Sequence, residues 1–89
     1  MQKDAFQNIR KNIESREWVL AIKKLVLILK KDKLNAYAQY LLGYIYENGV
    51  REGEEDAIKW YTASFGNGNK RAESVNKIVK YYQSCKIEG

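Results

Sequence analysis

Four acidic side chains crowd the stretch Glu52, Glu54, Glu55 and Asp56, three tyrosines recur at Tyr37, Tyr40 and Tyr44, and five lysines (Lys23, Lys24, Lys30, Lys31, Lys33) lie close together. Clustered carboxylates are one way to bind Ca²⁺, but a calcium loop alternates its ligands and closes on a bidentate Glu, and this run does neither. Its carboxylates suit the first turn of a helix, where negative charge meets the positive end of the helix dipole. The lysines raise nucleic-acid phosphate as a partner. An acidic middle segment breaks any long basic stripe, so a solvated face is the simpler reading. Cys85 is the single cysteine, and the chain has no histidine at all, which removes the commonest general base and the commonest metal ligand. Cys85 therefore has no His to activate it. With no nucleophile beside a base, no Gly-rich phosphate loop after a strand and no metal-ligand set, the sequence reads as non-enzymatic and free of cofactors. What remains is the chemistry of contact. Tyrosine offers a large surface with little entropy to lose, and it is enriched at interfaces for that reason.

Such residues need elements to hold them, and the chain supplies these in one domain of 89 residues. Apolar residues at 45% with 30% charged residues describe a soluble globular chain, and the absence of Pro points to helices. The net charge of +5 is unevenly placed. Residues 1–34 carry 9 basic and 4 acidic groups, residues 35–66 carry 2 and 5, and residues 67–89 carry 5 and 2. One cysteine permits no internal disulfide, which makes a reducing compartment the default. The most apolar segment, "WVLAIKKLVLIL", is interrupted by Lys23 and Lys24 and is too short to span a bilayer. It also follows Asp4 and Glu14, unlike a signal peptide, so a cytoplasmic protein with no membrane partner is expected.

Period and punctuation predict five helices, at about 2–14, 16–31, 36–48, 54–66 and 70–84. Phe6, Ile9 and Ile13 give the first its buried stripe. Ser15, Asn35 and Asn69 are candidate N-caps of the second, third and fifth, and Asn48-Gly49 and Gly66 with Gly68 are stops. The second helix is apolar nearly all round, which predicts packing on two sides and a place at the centre of the fold. Short connections make neighbours antiparallel. Ala21-Ile22-Lys23 recurs as Ala57-Ile58-Lys59 at a spacing of 36, and Leu34-Asn35 through Ala38 aligns with Gly68-Asn69 through Ala72 at a spacing of 34. Two helices per period in the thirties mark a helical repeat.

At this point residues 17–69 resemble a known family. Ala38-Gln39-Tyr40, Leu42-Gly43, Tyr46, Gly49-Val50, Ala57, Trp60-Tyr61 and Gly68-Asn69 resemble a Sel-one-like repeat, the variable-length relative of the tetratricopeptide repeat. Ala21, Leu25 and Ile28 before Asn35-Ala36 resemble the second helix of a tetratricopeptide repeat running into the next. Gly43, Ala21 and Ala57 stand where helices must cross closely. Three departures stand out: there is no second glycine in the turn after Gly49, Ser64-Phe65 replaces a small pair, and Asn76 and Lys77 stand where Leu and Gly are usual. The last of these makes the fifth helix resemble a terminal cap.

The resemblance implies an all-α fold, a short right-handed α-solenoid of about five antiparallel helices whose concave face holds a ligand. The positions it implies for partner binding are Tyr37, Tyr40, Tyr44 and Glu47 on the third helix and Arg71, Ser74, Ile78 and Tyr81 on the fifth. On the first they are about Lys3, Phe6 and Arg10. Tyr40 has an alternative reading as a packing residue. The expected function is a non-enzymatic protein–protein interaction module, whether adaptor, inhibitor or immunity-type binder, holding a partner peptide or helix. It would be a monomer or weak homodimer. The alternative is a small basic DNA- or RNA-binding regulator using the lysines around residues 23–33 and 70–80.

Overall fold

The structure, a computed structural model, describes residues 5–88, with side chains described for all of them except 72–74 and 85–88. It is all-helical among the described residues: α1 (Gln7–Glu14), α2 (Trp18–Lys31), α3 (Ala36–Asn48), α4 (Glu54–Gly66) and α5 (Ala72–Glu88). The bounds of α3 and α4 are those predicted. Asn35 caps α3 as expected, its side-chain oxygen accepting from the Ala38 N–H at 2.9 Å. Glu54, Glu55 and Asp56 occupy the first turn of α4.

The other ends differ from expectation. Ser15 does not open α2; it closes α1. The Arg16 N–H donates to the Ile13 carbonyl at 3.0 Å and the Glu17 N–H to the Asn12 carbonyl at 2.8 Å, a Schellman closure with Arg16 at φ 59°. The end of α4 has the same closure, from Gly68 to Phe65 and from Asn69 to Ser64, with Gly68 at φ 109°. Asn69 therefore completes α4 instead of capping α5, which begins at Ala72 with the Val75 N–H donating to the Arg71 carbonyl. Residues 2–4 of the predicted first helix lie outside the described residues.

The centre of the fold is α3, not α2. Seven residues of α3 are buried (Ala38, Gln39, Tyr40, Leu41, Leu42, Gly43, Ile45), against only Ala21 and Leu25 in α2. A continuous run from 38 to 43 can be buried only if neighbours cover the helix all round. α3 pairs most extensively with α4 and also packs on α2. On α2, Trp18, Ile22, Ile28 and Leu29 pack against the core, while Val19 at 67% and Leu27 at 60% exposure face outward.

The α3–α4 seam is tight because both helices present small groups. A Cβ added at Gly43 would lie 2.6 Å from the Tyr61 ring; on the α2 side, one at Gly49 would run into the Trp18 ring. Ala57 is fully buried, as is Ala21 on α2. Polar bonds tie the seam at both ends. The Ser64 hydroxyl donates to the Ala36 carbonyl at 2.6 Å, Asn67 Nδ2 to Gln39 Oε1 at 3.0 Å, and the Tyr61 hydroxyl to Glu47 Oε1 at 2.8 Å. Buried Asn12 is likewise satisfied, donating to Glu17 Oε1 at 2.9 Å and accepting from Lys24 Nζ at 2.7 Å, which joins α1 to α2.

Two stability predictions follow from this packing. Gly43→Ala gains about 1 kcal/mol of helix propensity but drives a methyl into a buried ring, and overpacking costs about 1–3 kcal/mol. The ring is held by its hydroxyl, so a net loss is expected. Gly66→Ala, at a position with nothing within 4 Å, should instead gain stability. Ala57→Leu and Ala21→Leu should each cost about 1–3 kcal/mol. Urea unfolding of the four variants checks the signs; a stabilising Gly43→Ala would show that the seam is looser than described. Separately, Arg16→Gly should raise stability by about 1 kcal/mol, since a left-handed backbone is costly for any residue with a Cβ. An unchanged or lowered denaturation midpoint would contradict that conformation.

Candidate functional site

The positions implied for partner binding gather at the two ends of α3. At its N-terminal end, the Phe6 ring meets the Tyr37 ring edge-on with centroids 4.7 Å apart. Tyr37 stacks on Tyr40 at 6.2 Å, and the Arg10 guanidinium lies 3.5 Å from the Tyr37 hydroxyl. Arg71, just before α5, sets its guanidinium 5.2 Å from the Tyr37 centroid and 5.0 Å from that of Tyr40. Side chains from α1, α3 and the start of α5 thus meet on one aromatic step. A cation over an aromatic ring is worth about 0.5–1 kcal/mol where the cation is solvent-exposed, as Arg71 is.

Tyr40 belongs to the core. Only 9% of it is exposed, and its ring lies between Tyr37 and Tyr61, with 5.9 Å separating its centroid from that of Tyr61. The reason is the breadth of α3's buried surface, which leaves no room for a third free ring on the stripe. Tyr37 is half-buried, and Tyr44, at 39% exposure, is the one of the three that faces solvent.

At the C-terminal end of α3, Glu47 is engaged on both oxygens, accepting from the Tyr61 hydroxyl and pairing with the Lys77 ammonium on α5. Tyr81 and Ile78 of α5 are half-buried and pack against the core, Tyr81 meeting Tyr82 edge-on at 5.6 Å. A cleft of about 280 Å³ opens here between α3, α4 and α5, bounded by Glu47, Glu54, Tyr61, Lys77, Lys80 and Tyr81. That is below the usual size for a metabolite site and suits one or two side chains of a partner. Lys3 lies outside the described residues, and the side chains of Ser74 and Cys85 lie outside those described.

Sequence reading missed Lys77 as a partner of Glu47, taking it as a departure from the repeat pattern and as one of the lysines around residues 70–80, and missed Tyr61 as the other partner of Glu47. Neither leaves a local signal, because each contact joins residues a helix or more apart. The hydrogen bond to Glu47, and then the Glu47 charge, raise the Lys77 pKa above the ordinary 10.5, with Glu54 adding to the effect and partial desolvation opposing it. Among the described residues no group of three or more His, Cys, Asp or Glu is placed to hold a metal ion, and no helix is long and apolar enough to cross a membrane. Comparison with family models, curated proteins and solved structures finds no match to this chain. Its function has to be read from this geometry.

A raised lysine pKa gives the pair a defined pH dependence. Its stabilisation is fully present below the unfolded value near 10.5 and is lost as pH rises through the higher folded value. Lys77→Met should therefore cost less than about 1 kcal/mol at neutral pH, as befits an exposed pair. The gap to the parent protein should close as pH rises through the lysine range. Paired urea titrations at neutral and alkaline pH measure it, and a gap constant with pH would assign the effect to packing of the side-chain stem.

Proposed function

We propose that the protein is a non-enzymatic protein–protein interaction module, an adaptor, inhibitor or immunity-type binder, that holds a peptide or helix of a partner. In this reading α1–α5 form a short right-handed α-solenoid of the tetratricopeptide and Sel-one-like kind, with α1, α3 and α5 on its concave side. The observation that carries it is the meeting of alternate helices. Phe6, just before α1, and Arg10 of α1 touch Tyr37 of α3, while Arg71 and Lys77 reach α3 from the α5 side. Helices two apart in sequence become neighbours when helical hairpins stack in one direction.

The contact surface along this side is Tyr37, Tyr44, Glu47, Arg71, Lys77 and Tyr81. Aromatic rings next to arginine are the composition of interface hot spots. Glu47 contributes through its fixed pairing with Lys77, and the cleft beside them takes a side chain of the partner. Nucleic acid is the alternative. It draws on the same lysines that the protein partly uses internally, for Lys24 is bound to Asn12 and Lys77 to Glu47.

The test is capture of partners from native extract with and without nuclease, followed by binding measurements on the captured partner. Tyr44→Ala with Arg71→Ala should weaken protein binding by more than about 2 kcal/mol, at a stability cost near 1 kcal/mol. Tyr40→Ala is the control and should lose about 3 kcal/mol or more of stability as a core ring. Capture abolished by nuclease, with affinity falling steeply as salt rises, would favour the nucleic-acid reading instead. Full binding by the Tyr44/Arg71 variant would move the partner surface elsewhere.

A further inference from the structure

The α3–α4 pair holds α5 lightly. Among the described side chains of α5 none is buried: Val75, Ile78 and Tyr81 are half-buried and the others are exposed. α4, by contrast, buries Ala57, Ile58, Tyr61 and Ser64. Besides its packing on α4, α5 is tied to α3 by the Lys77–Glu47 pair, which is open to solvent and therefore weak. The floor beneath it, with Ala57, Ile58 and Tyr61, belongs to α4. That floor is fixed by bonds in which α5 has no part, from Ser64 to Ala36, Asn67 to Gln39 and Tyr61 to Glu47. Departure of α5 leaves the α3–α4 seam intact and an apolar floor bare.

Residues 67–71 link α4 to α5, and both edges of this link already bond as a helix does. The Asn67 N–H donates to the Ala63 carbonyl four residues back at 3.0 Å, and the Val75 N–H donates to the Arg71 carbonyl in the same register at 3.1 Å. Between them, Gly68 turns the chain with φ 109°. Its N–H goes to the Phe65 carbonyl at 3.1 Å, and that of Asn69 to the Ser64 carbonyl at 3.0 Å. The chain contains no Pro, so every amide of the link can join a helical ladder. With the link helical, residues 54–88 form one rod about 50 Å long.

We propose that two copies of this chain exchange α5. The link straightens, α4 and α5 run on as one helix, and each α5 docks on the α3–α4 pair of the other copy. The occupant is selected by the contacts α5 already makes, since a second copy's α5 reproduces them one for one. Two such rods lie antiparallel, each α4 beside the other copy's α5, and a two-fold axis passes between the links. Lys77 and Tyr81 of one copy then complete the cleft of the other. Because the docked contacts are the same in both forms, the backbone of the link and the entropy of association decide between them. Gly68 holds the closed form.

Gly68→Ala tests this in the full chain. A Cβ there meets nothing within 4 Å, so it acts through the backbone alone. It penalises the positive φ of the closed link and favours the helical one. Each dimer has two links, so sedimentation equilibrium should give a dissociation constant at least about tenfold below the parent's. Gly66→Ala is the control: Gly66 is helical in both forms, and the constant should not move. In a Gly68→Ala dimer mixed from labelled and unlabelled copies, isotope-filtered NMR should find Ile78 and Tyr81 touching the α3–α4 core of the other copy. Hydrogen exchange of the parent needs no variant: the amides of α5 should exchange together while those of α3 and α4 stay protected. A folded Gly68→Ala that stays monomeric to millimolar concentration overturns the proposal. So does a dimer whose α5 contacts lie within one copy, an equal gain from Gly66→Ala, or a parent whose α5 exchanges only with the whole molecule.

Discussion

The Tyr61 ring lies against the bare backbone of Gly43, and its hydroxyl ends on Glu47. Everything else in the structure is arranged around that contact. Without a side chain at Gly43 the two helices approach closely enough for α3 to be covered along one side by α4, and the ring fills the space that remains. The hydroxyl then fixes where the ring stops, while Ser64 bound to the Ala36 carbonyl fixes the far end of the same seam. A helix pair anchored at both ends can neither slide nor rotate without leaving a buried polar group unpaired, a cost of about 1–3 kcal/mol.

The same residues connect the core to the surface. Glu47 takes the Tyr61 hydroxyl with one oxygen and Lys77 with the other, so the position of α5 is referred back to the α3–α4 seam. The magnitudes indicate which partner governs. Burying a tyrosine ring contributes about 1.5–3 kcal/mol or more, whereas an exposed lysine–carboxylate pair contributes less than about 1 kcal/mol. The seam therefore positions Glu47, and Glu47 positions Lys77, not the reverse. At the other end of α3, the Arg71 side chain is held over Tyr37 and Tyr40, among the described residues, by cation–ring attraction. That end is the more adaptable of the two.

Legibility in the sequence followed the range of the interaction. Asn35 and the acidic first turn of α4 act within four residues, and the limits of α3 and α4 could be read from them. Gly43 and Ala57 were legible as close-packing positions because small residues at helical spacing have few other uses. Arg16 was not legible. A left-handed residue closing a helix is normally glycine, as Gly68 is at the matching place after α4, and nothing about Arg announces the turn. The misplacement of α2 has a different cause. Its apolar residues were weighed by number, but burial depends on partners. α3 is flanked by α2 and α4 and touched from α1 and α5, while α2 packs on α1 and α3 and leaves Val19, Leu20, Val26 and Leu27 exposed. The tyrosine stripe shows the same dependence on partners: Tyr40, open in the sequence between groove and core, is buried between Tyr37 and Tyr61, while Tyr44 faces solvent.

Charge, too, must be counted by partner. The sequence carries +5, yet this excess is not one basic surface. Lys24 is drawn inward by Asn12, whose amide also holds Glu17, and Lys77 is neutralised at Glu47. Arg71 lies over aromatic rings and Lys70 over Phe65 at 3.8 Å. Subtracting these, Lys23, Lys30 and Lys31 remain exposed on α2 with no ion-pair partner among the described residues, interleaved with leucine and valine. Phosphate contacts draw on charge and hydrogen bonding and leave the apolar side chains between those lysines unused. A protein contact draws on both, and on α2 the two kinds of side chain stand interleaved on one exposed face.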